Sequence, residues 1–323
     1  MKIRDRIPII TTAVVALAIY VTCGLHFDGF FSLRVFFNLL SDNSFVGVMA
    51  VGLTFVILTG GIDLSVGSMV GFSGIAVAVL ISKHNLSPLP AIGLVLLFGA
   101  LFGAGQGTLI ARLKLPPFLV TLAGLFCLRG LALTVSTQSI DISHPQFQKM
   151  VDWAVMLPGK ASITLTGAIF IATILVGSFI ARQTRYGRAV YAIGGNAASA
   201  ELLDVPVKRT LVTTYALSGF CAALGGAVFT LYTSSGNAIS GTGMELDGIA
   251  AVVIGGTLLS GGAGSVFGTL LGTIILGLVQ TAISFQGTLS SWWTKIFIGF
   301  ILLCFLLLQK GLERTASRAL ASR

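Results

Sequence analysis

Apolar residues run along this chain in long blocks, at 7–25, 44–59, 66–81, 91–110, 118–136, 163–181, 211–232, 249–259, 266–283 and 292–308, separated by polar or glycine-rich breaks. A helix needs about 20 mostly apolar residues to cross about 30 Å of hydrocarbon. The blocks lack the period-two alternation of barrel strands. The pattern therefore predicts an all-α polytopic membrane protein, about ten transmembrane helices in a single domain spanning 1–323. Segment 28–40 is apolar enough for a surface or re-entrant piece. Two long connections, 137–160 and 182–209, have room for short helices, and long loops in compact folds tend to be functional.

Some blocks are too short to span alone. Those at 44–59 and 66–81 each reach about 24 Å at 1.5 Å per residue, and between them lies "TGGIDLSVGS" at 59–68. Gly60 and Gly61 can take backbone shapes that other residues avoid, and Asp63 or Ser65 can accept hydrogen bonds from the amides opening the next helix. Asp63 is expected first as a helix cap, with the lining of a permeation path as the alternative. A carboxylate at mid-bilayer costs about 2.5–3.5 kcal/mol on insertion scales, so it must face protein or a wet cavity.

A second break, "SGGAGSVFG" at 260–268, follows the short block 249–259. Aligning Gly67-Ser68-Met69-Val70-Gly71 on Gly264-Ser265-Val266-Phe267-Gly268 gives a shared G-S-x-x-G pattern. Interrupted helices at corresponding places in two halves point to a transport pathway. The candidate pathway or helix-break residues are thus Gly60, Gly61, Asp63, Ser65, Gly67, Ser260, Gly261, Gly262 and Gly264. Glycines four apart, as at Gly99, Gly103 and Gly107, are expected to let helices approach closely in lipid.

Composition sharpens the class. Of 323 residues, 55% are hydrophobic and 10% charged, against about 25% charged in soluble domains, and mean hydropathy is +0.96. The net charge of +9 does not point to nucleic acid, because the basic residues flank apolar blocks. With a cytoplasmic amino terminus, fourteen lysines and arginines fall in inner segments (Lys2, Arg4, Arg6 and Arg323 among them) and five in outer ones. Both termini are therefore expected in the cytoplasm. Residues 1–6 with the block 7–25 resemble a secretory signal, but the block is too long and an uncleaved first helix is expected. Trp292 and Trp293 then suit the outer interface. Cys23, Cys127, Cys221 and Cys304 lie inside apolar runs and are expected to pack. The histidines lack ligand spacing, so no metal or cofactor is expected. No G-x-x-x-x-G-K-[ST] phosphate loop is present, Gly159-Lys160 being followed by Ala161, so the chain is not its own ATPase by that route. Charged residues at membrane depth are few in the first half, Asp63 and Arg129, which is thin for an ion relay. No cluster of polar residues marks a sugar pocket.

Three stretches carry a family resemblance over essentially the whole chain: "GGIDLSVGS", "YGRAVYAIGGNAASAELLDVPVKR" at 186–209 and "IGGTLLSGGAGSVFGT" at 254–269. They resemble the permease subunits of bacterial sugar ABC importers of the ribose and galactofuranose type. The resemblance implies a fold like that of the vitamin B12 importer, in the bacterial inner membrane. It implies a second permease subunit, cytoplasmic ABC ATPase subunits and a periplasmic sugar-binding protein as partners. Loop 182–209 would be the cytoplasmic coupling element, its motif carried by Gly187, Arg188, Tyr191, Gly194, Gly195, Asn196, Ser199, Ala200 and Leu202. Two positions depart from the family pattern: Ser199 replaces the usual alanine, and Asp204 replaces a glycine that ends a short helix. Aspartate tolerates the left-handed conformation such an ending needs. An ion-coupled sugar carrier or channel is the alternative function.

Overall fold

A computed structural model describes residues 7–288, 290 and 292–321. Lys2, Arg4, Arg6 and Arg323, which enter the charge asymmetry, lie outside them. In chain order the first helices are α1 (Ile7–His26), α2 (Leu33–Asp42), α3 (Ser44–Leu58), α4 (Val66–Ser82), α5 (Pro88–Leu113), α6 (Pro117–Val135) and α7 (Pro145–Val151). The rest are α8 (Leu165–Gln183), α9 (Arg185–Gly195), α10 (Ala197–Leu202), α11 (Val207–Thr233), α12 (Met244–Ile254), α13 (Val266–Gln286) and α14 (Trp292–Ala321).

Each of the ten predicted blocks falls on a helix. Six helices, α1, α5, α6, α8, α11 and α13, are long and apolar enough to cross a membrane alone, and α2 with α3 forms a pair bent by 58° that adds a seventh candidate. The apolar parts of α4 and α14 are shorter. Segment 28–40 thus contributes α2, the bent entrance to α3.

Helix α3 is apolar all round and buried from Gly47 to Leu58, which places it at the centre of the bundle. Around it pack α11, α8, α12 and α13. Between α5 and α11 the backbones nearly touch: a Cβ on Gly99 would strike Gly219, and one on Gly103 would strike the Tyr215 carbonyl. The expected close approach is present, and it maximises dispersion where lipid supplies no hydrophobic drive. Hydroxyls fasten neighbours, with Thr54 Oγ1 2.7 Å from Thr269 Oγ1 between α3 and α13 and Thr12 Oγ1 donating to Ile254 O at 2.8 Å.

The structure departs from the sequence reading in four places. Helix α12 starts five residues before the predicted block and ends at Ile254, because the apolar run continues through Gly255 and Gly256 into the break. Its first turn holds Glu245 and Asp247, where the helix dipole favours carboxylates. Second, short strands sit in the connections of the all-α fold. Strand β1 (Ile140–Asp141) pairs with β4 (Ser235–Gly236), and β2 (Ala154–Leu157) with β3 (Ala161–Thr164), both antiparallel. Third, these strands take the start of the predicted 163–181 block, and α8 begins at Leu165 with Thr164 as its cap. Fourth, Cys127 and Cys304 are exposed rather than packed inside.

The connections gather at two ends. At one, the β1–β4 pair meets the end of α4, Ser82 Oγ donating to Asp141 O at 2.9 Å. At the other lie the breaks 59–65 and 255–265 together with α9.

Candidate functional site

The three stretches singled out in the sequence converge at this second end. Gly262 N donates to Leu58 O at 2.9 Å, joining the two helix breaks directly. Gly60 and Gly261 sit side by side with φ of 79° and 86°, the left-handed region that glycine occupies without penalty. Helix α9 closes over this pair. A Cβ built on Gly194 would collide with Leu58 O and Gly262 N, whereas one on Gly195 would meet open space. Tyr191 Oη donates to Gly264 O at 2.9 Å. Burial holds the Tyr191 phenol above its ordinary pKa, so it keeps the proton it donates. The result is a three-way junction of main chain, with glycine wherever backbones must touch.

Behind the junction, Asp63 is 1% exposed and surrounded by donors. Its Oδ1 accepts from Ser65 N at 3.0 Å and Ser65 Oγ at 2.6 Å, and its Oδ2 accepts from Ser218 Oγ of α11 at 2.8 Å. Ser65 Oγ also lies 3.2 Å from the Gln106 Oε1 of α5, which accepts from it. Buried Tyr215 stands over Gly61. Ser65, just before α4, makes no side-chain cap bond, and Asp63 meets the cap expectation by accepting from the Ser65 amide where α4 opens. It ties the break to α11, 155 positions along the chain. The other break is capped conventionally: Ser265 accepts from Gly268 N at 2.9 Å. Helices α4 and α13 begin after Ser65 and Ser265. The two breaks thus match at Ser-Val, three residues from the G-S-x-x-G register. Gly67, the second residue of α4, packs against Glu245 and Gly241 away from the junction. Ser260 touches the junction through its carbonyl, 3.3 Å from where a Gly60 Cβ would stand.

The rest of loop 182–209 projects outward. Gly187 packs on the Ile180 and Ala181 carbonyls, and Asn196 caps α10 by accepting from Ser199 N at 2.8 Å. Ala200 is buried, while Arg188, Ser199 and Leu202 are exposed. Asp204 has φ of 62°, so it takes the left-handed ending anticipated for it. Leu202 and Leu203 are 88% and 78% exposed.

A family model described as "Branched-chain amino acid transport system / permease component" matches residues 35–306. The chain belongs to that family. Its relatives include the Inner membrane ABC transporter permease protein YjfF of Escherichia coli (strain K12), 51% identical, the match covering 96% of this chain and 94% of that one. The Fructose import permease protein FruG of Bifidobacterium longum (strain NCC 2705) is 34% identical, with 95% and 92% covered. The Ribose import permease protein RbsC of Escherichia coli (strain K12) is 35% identical, with 87% of each covered. No solved structure matches the chain. The chemistry of this site is the hydrogen bonding and packing that hold two helix breaks and α9 in one place. Sequence reasoning missed Ser218, Gln106 and Tyr215, whose only signal is a polar group inside an apolar block.

Proposed function

We propose that this permease is the membrane-spanning subunit of an ATP-binding cassette importer for a monosaccharide, galactofuranose or a similar sugar. Separate cytoplasmic ATPase subunits hydrolyse ATP and dock on α9 and α10. A second permease chain of different sequence completes the conduit, and a periplasmic sugar-binding protein delivers the solute. The chain sits in the bacterial inner membrane with both termini in the cytoplasm, and α4, α12 and α14 complete ten spans. The sugar follows from three near-full-length relatives, two of them named for fructose and ribose, in preference to the amino acids in the family description.

One observation carries the coupling role. The loop exposes two leucines at its tip while its other arm is fixed to both helix breaks through Gly194 and Tyr191. Apolar side chains offered to water in a cytoplasmic loop suit a protein partner. A push from that partner reaches α3, α4, α12 and α13 together and shifts the population between outward- and inward-facing states. Replacing Leu202 and Leu203 by aspartate is expected to abolish co-purification of the ATPase and cut uptake at least tenfold, with membrane insertion unchanged. Uptake into proteoliposomes that persists without ATP or without the ATPase subunit would overturn the proposal in favour of an ion-coupled carrier or channel.

A further inference from the structure

At the end of the bundle opposite the junction, α3, α12, α13 and α14 surround a cavity of about 520 Å³, within the roughly 300–1,000 Å³ usual for small-molecule sites. Its polar wall comes from four separate elements: Asn43 before α3, Asp247 of α12, Gln280 and Ser284 of α13, and Thr294 and Lys295 of α14. Gln280 and Ser284 lie one turn apart on α13, and both are exposed. Ser284 Oγ donates back to Gln280 O at 3.0 Å, but the Gln280 amide facing lipid would have no partner for its hydrogen bonds, so this face of α13 lines water. The Gln280 amide makes no side-chain hydrogen bond among the described residues. Asn43 donates its Nδ2 to Leu39 O at 2.9 Å, which leaves Oδ1 to accept.

The charges decide what class of solute fits. Lys295 Nζ lies 2.6 Å from Asp247 Oδ2, the one ion pair among the described residues. The lysine is half exposed and its charge is matched, so the wall offers strong donors and strong acceptors with no net charge. A phosphate would need an unmatched cation. A neutral solute with adjacent hydroxyls can donate to Asp247 and Asn43 and accept from Lys295 and Gln280, while Phe45 and Ile283 cover its C–H face. Helices α3, α12 and α13 each run from this cavity to the glycine junction, so its walls move with the breaks.

We propose that this cavity is a binding subsite for a neutral polyhydroxylated solute on its way through the membrane. The assignment deepens the importer reading and rests on it. The test uses the complete transporter in right-side-out vesicles, with Ser284→Cys placed in a background of Cys127→Ala and Cys304→Ala, the two exposed native thiols. A membrane-impermeant maleimide is added outside, with D-galactose, D-ribose, D-fructose or sn-glycerol 3-phosphate as competitor. S284C is expected to react. At least one of the neutral sugars should slow the reaction several-fold, glycerol phosphate should not, and adding Gln280→Leu should remove the protection. No reaction from outside, no protection by any of the sugars, or preferential protection by glycerol phosphate would each overturn the subsite. ATP-dependent uptake is measured on the same vesicles. Protection without any ATP requirement sinks the importer reading and leaves the subsite standing, whereas ATP-driven uptake without protection does the reverse.

Discussion

Gly194→Val is expected to cut ATP-driven uptake at least tenfold while the protein still inserts and its ATPase partner still hydrolyses ATP. The reason is steric. A Cβ at this position would overlap the Leu58 carbonyl and the Gly262 amide, and neither is the free end of a side chain that can swing aside. The α9 arm must lift, and the Gly262 N to Leu58 O bond beneath it is strained or lost, at about 1–3 kcal/mol if its groups stay buried and unpaired. Gly195→Ala is the internal control, since a Cβ there meets nothing and transport should stay near wild type. Uptake and hydrolysis measured side by side check the pair. Equal coupling ratios for Gly194→Val and wild type would remove the junction from the mechanism.

Asp63→Leu should lower stability by about 3–5 kcal/mol, because Ser65 N, Ser65 Oγ and Ser218 Oγ would each lose a buried acceptor. Ser218→Ala should cost less, about 1–3 kcal/mol, since one oxygen of the carboxylate then goes unmatched while the other keeps both its bonds. Thermal unfolding in detergent of the two variants and the double variant measures this. Strict additivity would mean that the residues do not act on one another. If Asp63 were only a cap, Ser218→Ala would be neutral.

How far the sequence carried the structure depends on how local each signal is. Runs of apolar residues are local, and all ten landed on helices. The end of α12 was misplaced because its apolar run crosses the break without pause, and composition cannot see where hydrogen bonding stops. The short strands lie in loops and are only two to four residues long; β1 pairs with β4 almost a hundred positions away, while β2 and β3 form a hairpin too short to show as an alternating run. Half of Asp63's role, its bond to the Ser65 amide, was legible from turn chemistry, which looks only a few residues ahead; the other half, its bond from Ser218 on another helix, was not. Gly194 and Gly195 look identical in the chain, yet only one is enclosed. The polar cavity was invisible for the same reason, its six polar residues being scattered from Asn43 to Lys295. The family resemblance located the three stretches; that they meet at one point is what the structure adds.

The junction is made from amides, carbonyls and a phenol held protonated, with no formal charge at the contact. Ionic strength screens attraction between charges and has little purchase on close-fitting main chain. The grip proposed to pass the motor's stroke to the helices should therefore be the same in dilute and concentrated electrolyte, so any salt sensitivity of uptake would arise outside the junction, where the subunits meet or at the exposed Lys295–Asp247 pair.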